Sequence, residues 1–150
     1  MQHFRKILAP TDFSAPAEHG LRLAANVSRS YDGSVTILYV YDPMSYALPD
    51  GYVLYTSAQL SRMVAEFERR LADAQRLVLD AGAVHVETRL RQGIAPSEIA
   101  DFAAEGDFDL IVMGTHGRTA LAHLFLGSVA ERVVRTAPCP VLTVRAPTRP

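Results

Sequence analysis

The chain has 150 residues, 49% hydrophobic and 21% charged, with a net charge of −1, which is the make-up of a globular domain large enough to bury a core. No apolar stretch approaches the roughly 20 residues of a membrane helix, the first ten residues hold no signal-type apolar run, and no global positive field is present to attract nucleic acid. A single cysteine, Cys139, excludes an internal disulfide and suits a reducing compartment, so the expected setting is the cytoplasm.

In chain order, Lys6-Ile-Leu-Ala-Pro10 predicts a first strand, and Ser14 then stands where a helix cap belongs, ahead of Ala17, Leu21, Ala24 and Ala25 on one helical face. Val35-Thr-Ile-Leu-Tyr-Val40 reads as a second strand. The stretch from Tyr41 to Thr56, with Pro43, Pro49, Asp50 and Gly51, is a long connection and a candidate flap beside a site. From Leu60 to Ala81, Leu60, Met63, Val64, Phe67, Leu71, Ala74 and Val78 recur at helical spacing, and Gly82 is a good terminator. Val84-His-Val-Glu-Thr-Arg-Leu90 alternates, which suits a strand nearer an edge. Pro96-Ser-Glu-Ile-Ala-Asp-Phe-Ala-Ala predicts a short helix with proline in its first turn. Leu110-Ile-Val-Met113 and Val141-Leu-Thr-Val144 complete five strands. Between them Ser128-Val-Ala-Glu131 has capping-box spacing and opens a helix from Ser128 to Arg135. Near-continuous apolar runs mark strands buried on both faces. The alternation of strands and helices with long crossovers predicts one α/β domain over 1–150, built on a doubly wound five-stranded parallel sheet with helices on both faces.

The most informative segment is Gly114-Thr-His-Gly117-Arg-Thr-Ala-Leu-Ala-His-Leu-Phe-Leu-Gly127-Ser128, with the spacing G-x2-G-x9-G-S directly after an expected strand. Glycines there would permit positive φ and a close approach to a ligand, and the amides of the following helix start would offer donors to an anion. From Gly114 onward the chain holds five arginines (118, 132, 135, 145 and 149) against one acid, Glu131. The positive excess thus accompanies the glycines. The Ser128 hydroxyl could cap the helix or touch a phosphate, so the amides of Val129 and Ala130 are the steadier donors. In such sheets ligands lie outside the carboxyl ends of strands, where the strand order reverses. Ala9-Pro10-Thr11-Asp12 ends the first strand there. Asp12 fits either helix entry before Ser14 or contact with a ribose hydroxyl or a magnesium-bound water. His116 and Arg118 are expected on the loop surface, Arg118 with charge to offer phosphate.

His3, His19, His85 and His123 show no metal-ligand spacing. Cys139, between Pro138 and Pro140, reads as a small packed residue rather than a nucleophile. Asn26-Val-Ser28 matches a glycosylation acceptor and is discounted without a secretion signal. No P-loop, dinucleotide fingerprint, G-x-S-x-G or H-E-x-x-H motif occurs, and no nucleophile–base pair is visible. Binding is better supported than catalysis.

At these residues the chain resembles the universal stress protein family, from Ile7-Leu-Ala-Pro-Thr-Asp-Phe-Ser14 through Gly114-Thr-His-Gly117 to Cys139-Pro-Val-Leu-Thr-Val144. The complete G-x2-G-x9-G-[ST] motif is similar to that of the family's nucleotide-binding branch. The resemblance implies a Rossmann-like sheet of order 3-2-1-4-5 and ATP as ligand, with magnesium or manganese accompanying the phosphates. It implies Pro10, Thr11 and Asp12 near adenosine, and Val40 meeting the adenine through its backbone. Met113, Gly114, Thr115, His116, Gly117, Arg118 and Thr119, with Gly127, Ser128 and Val129, would surround ribose and phosphates. It also implies a homodimer through Val141, Leu142, Thr143 and Val144. The expected function is that of an ATP-binding stress-response regulator with at most slow ATP hydrolysis. The alternatives are a dimeric interaction module with a vestigial site and a true nucleotide hydrolase, so whether the chain is an enzyme stays open. The stress sensed, protein partners and any assembly beyond a dimer are not legible.

Overall fold

The computed structural model describes residues 3–43, 55–115 and 127–145. Segment 44–54, with Pro49, Asp50 and Gly51 of the expected flap, and segment 116–126, with His116, Gly117, Arg118 and Thr119, lie outside the described residues.

In chain order the elements are β1 (Lys6–Pro10), α1 (Ala15–Tyr31), β2 (Ser34–Tyr41), α2 (Ser57–Asp80), β3 (His85–Gln92), α3 (Ala95–Glu105), β4 (Leu110–Gly114), α4 (Ser128–Thr136) and β5 (Val141–Val144). The strands form one parallel sheet of order β3-β2-β1-β4-β5. This is the expected doubly wound α/β fold. Alternation along the buried strands splits the core in two. Ile7, Ala9, Val35, Ile37 and Val112 face Leu21 and Ala24 of α1 and Phe67, Leu71 and Val78 of α2. Leu8, Leu38, Ile111 and Met113 face Ile99 and Ala103 of α3 and Ala130 and Val133 of α4. β3 has the exposed-to-half-buried alternation of an edge strand, as its sequence predicts.

The ends of elements differ from expectation where caps decide them. The Ser14 side chain does cap α1, accepting from Ala17 N–H at 3.3 Å. α2 starts at Ser57 rather than Leu60 because Thr56 and Gln59 form a reciprocal capping box, with bonds of 3.2 and 2.8 Å. The capping box expected at Ser128 and Glu131 does not form. Gly127 is the extended residue ahead of α4, and its carbonyl accepts from Glu131 N–H at 2.9 Å. Ser128 is therefore the first helical residue and is not in a position to cap, while Glu131 pairs with Arg135 at 2.8 Å.

Candidate functional site

Successive β1 residues turn their peptide groups to opposite neighbours. Arg5 and Thr11 face β2, through Ser34 N–H to the Arg5 carbonyl at 2.7 Å and Thr11 N–H to the Leu38 carbonyl at 2.9 Å. Pro10 consequently faces β4, and proline has no N–H to donate there. The β1–β4 ladder ends at Leu8–Ile111, while β1–β2 pairing continues to Pro10–Leu38. Loss of that rung lets the two central strands part at their carboxyl ends, where the strand order reverses. This is the gap around which the expected site residues gather.

On one side of the gap lies the turn from β1 into α1. Thr11 is buried, and its hydroxyl oxygen accepts from Phe13 N–H at 3.0 Å. Asp12 Oδ1 accepts from Ser14 N–H at 3.0 Å and from the Ser14 hydroxyl. Asp12 is thus engaged in helix entry, one of the two roles its sequence position left open. Phe13 takes the left-handed conformation, φ 62°.

Across the gap, Met113 buries its side chain in the α3–α4 core and leaves only its backbone near the strand end. Gly114 is not at positive φ. Its glycine requirement is one of space, because a Cβ there would lie 2.7 Å from the Pro16 carbonyl oxygen and 3.0 Å from Ala17 N. Thr115 is buried and donates its N–H to the Val144 carbonyl at 2.8 Å, and its own carbonyl accepts from Gly127 N–H at 2.6 Å. Thr115 and Gly127 are thus joined directly by a backbone hydrogen bond. Gly127 has φ −59° and ψ 151°, open to any residue, so positive φ explains neither Gly114 nor Gly127. Gly127 also has no side chain with which to cap α4. The amides of Ser128, Val129 and Ala130 form the first turn of that helix, at the positive end of its dipole. Ser128 is exposed and Val129 is 37% exposed.

Val40 lies one strand further out. Leu38 faces β1 and Tyr41 faces β3, where Gly93 N–H donates to the Tyr41 carbonyl at 2.9 Å. Alternation turns the Val40 N–H and C=O toward the β1 side, beyond the last β1 residue paired with β2. Its side chain packs half-buried against the α3–α4 core. The backbone, not the side chain, is what Val40 presents to the gap.

Pro10, Thr11, Asp12, Val40, Met113, Gly114, Thr115, Gly127, Ser128 and Val129 thus gather at one end of the sheet. Phe13 was missed by the sequence reading, and a signal for Pro10 as a ladder breaker was available, since proline ending a two-sided buried strand removes a rung. Among the described residues no cluster of three or more His, Cys, Asp or Glu side chains could hold a metal ion. None of the described helices is long and apolar enough to cross a membrane. Cys139 packs half-buried beside the α3–α4 core, and burial, reinforced by the Asp109 charge, raises its thiol pKa. A thiol held protonated in this way is a packing group, as its sequence context predicts.

The chain matches the model of the universal stress protein family over residues 3–145. It is 34% identical over 145 residues to universal stress protein MJ0531 of Methanocaldococcus jannaschii, covering 96% of this chain and 84% of that one. Among solved structures, it is similar to universal stress protein UspA from Lactobacillus plantarum, with TM-score 0.80 and 28% identity over 95% of this chain and 99% of the other. It is also similar to the universal stress protein from Archaeoglobus fulgidus in complex with dAMP, with TM-score 0.67 and 28% identity, covering 95% and 98%.

Proposed function

The chain belongs to the universal stress protein family, and on that premise we propose that it binds an adenine nucleotide, ATP foremost, in the gap between β1 and β4. The observation that carries the reading is the α4 N-terminus. Gly127 gives its first-turn amides no side-chain cap, and they follow directly on the last glycine of the G-x2-G-x9-G-S motif, the arrangement that receives phosphate. The parting of β1 and β4 at Pro10 makes room for the nucleoside, and the Val40 peptide group offers one donor and one acceptor to a base edge. The dAMP complex of the Archaeoglobus relative supports an adenine nucleotide as the ligand class. With no cluster of metal ligands among the described residues, magnesium or manganese would arrive on the phosphates.

In this reading the protein is a cytoplasmic stress-response regulator of one domain, and nucleotide occupancy is its signal. The hydroxyl–carboxylate pair at the gap, Ser14 to Asp12, is engaged in helix entry and in capping α1, and in this reading hydrolysis is slow at most. Calorimetric titration with ATP, ADP and AMP, with and without magnesium, tests the proposal. Absence of binding by all three at millimolar concentration would sink it. Multiple-turnover phosphate release near or above ~1 per second would favour a true hydrolase instead.

The proposal includes a homodimer through β5. That strand is an edge of the sheet, with Leu142 39% exposed on it and Val134 48% exposed on neighbouring α4. Antiparallel pairing with a second copy would satisfy the edge and cover Leu142 in one two-fold interface.

A further inference from the structure

We infer that Arg70 of α2 is a positioning residue for the nucleotide site: its guanidinium holds the Phe13 ring, and the held ring fixes the turn that sets Thr11 and Asp12 at the gap. The inference rests on the adenine-nucleotide reading and adds to it a contact from outside the gap.

Among the described residues, three other than glycine have positive φ: Phe13 at 62°, Asp32 at 51° and Asp107 at 49°. Asp32 caps the end of α1, and Asp107 follows the C-cap of α3. Aspartate tolerates that conformation at helix ends because its short side chain can hydrogen-bond locally. Phe13 has no such compensation and stands at a helix entry. A bulky residue stays left-handed only where its surroundings over-determine it.

Here the surroundings do so from two directions. On the backbone side, Phe13 N–H is held by the Thr11 hydroxyl oxygen and Ser14 N–H by Asp12, both at 3.0 Å. The same two side chains belong to the proposed adenosine end of the site. On the ring side, Tyr39 of β2 lies 4.6 Å away between centroids, and the Arg70 guanidinium carbon lies 4.3 Å from the Phe13 centroid. Neighbouring Arg69 and Arg76 are committed to Glu66 and Asp73 on the exposed face of α2. Arg70 is rotated from them by the helical pitch, half-buried toward α1, and spreads over the ring instead. A planar, weakly hydrated guanidinium suits that stacking. Phe13 and Arg70 together wall a cleft of about 240 Å³ between α1 and α2. Removing Arg70 would open the ring to this cleft and let φ relax, carrying Thr11 and Asp12 with it.

The effect should be confined to the nucleoside end, because α4 lies on the opposite face of the sheet from α1 and α2. In an Arg70→Ala variant, ATP and AMP should lose affinity by the same factor, about threefold to tenfold for a cation–π contact. A loss that grows with the number of phosphates would mean that Arg70 acts through its charge, and would overturn the inference, as would unchanged affinity for both. A ligand-free arm separates this from failure of the nucleotide reading. Amide hydrogen exchange at Phe13 and Ser14 should quicken in the variant while the amide of Val133 in α4 keeps its protection. If the parent binds no nucleotide, the nucleotide reading fails, and the exchange arm alone decides whether Arg70 holds the turn. Unchanged exchange at both amides refutes that.

Discussion

Placing a methyl group on Gly114 tests the packing that seats α1 on β4. The new Cβ would stand 2.7 Å from the Pro16 carbonyl oxygen, 2.8 Å from its carbonyl carbon and 3.0 Å from Ala17 N, where an ordinary contact needs 3.4 Å or more. All three are backbone atoms of the first turn of α1, so no side chain can swing aside. Retreat of the helix would also loosen its close seating at Gly20, where an added Cβ would lie 3.0 Å from Gly114 N. Overpacking of this kind costs about 1–3 kcal/mol. For a domain of this size each kcal/mol lowers Tm by about 2–4 °C, so Gly114→Ala should melt about 2–12 °C below the parent by far-UV circular dichroism. Gly127→Ser is the control: φ −59° and ψ 151° admit any residue, and serine supplies the missing cap, so stability should hold or rise slightly. A Gly114→Ala protein melting within about 1 °C of the parent would refute the close-approach argument. A large loss in the Gly127 variant would refute the reading that φ is unimportant there.

Gly127→Val should abolish nucleotide binding in a calorimetric titration by projecting over the first-turn amides of α4, while costing only about 1 kcal/mol of stability as a poor N-cap; retained affinity would move the phosphate site elsewhere. Asp12→Ala removes the acceptor for Ser14 N–H and its hydroxyl, and the urea midpoint should fall by the equivalent of about 1 kcal/mol. The raised pKa of Cys139 favours the thiol over the thiolate, so alkylation by iodoacetamide should be slow at pH 8 and keep accelerating above the ordinary thiol pKa of about 8.5. Denaturant should remove that lag, and a rate equal to that of a free thiol across the range would contradict it. Leu142→Asp places a charge on the half-exposed edge of β5 and should shift a dimer toward the 16.4 kDa monomer in light scattering; a parent already at that mass would end the dimer proposal.

The sheet was legible in the sequence because burial on both faces leaves near-continuous apolar runs, and those runs fall within a residue or two of β1, β2, β4 and β5. β3 was readable as an edge from its alternation. Helix starts were legible only in part. Ser14 caps as its context suggests, whereas Ser128 does not, because capping needs an extended backbone and that conformation falls one residue earlier, at Gly127. The Thr56–Gln59 box went unread since it lies ahead of the apolar periodicity that marks α2.

For the candidate site, sequence by itself determined which residues carry the phosphate-type motif and that they follow strands, since glycine spacing and apolar runs are local patterns. Why those residues are needed was decided only by tertiary structure. Gly114 is small because the first turn of α1 presses on it from far away in the chain. Pro10 opens the gap because strand alternation aims its missing N–H at β4. Phe13 keeps a left-handed backbone beneath Tyr39 and an arginine of another helix. Each depends on segments brought together by folding, and a close approach between distant backbones leaves no periodic mark in either segment.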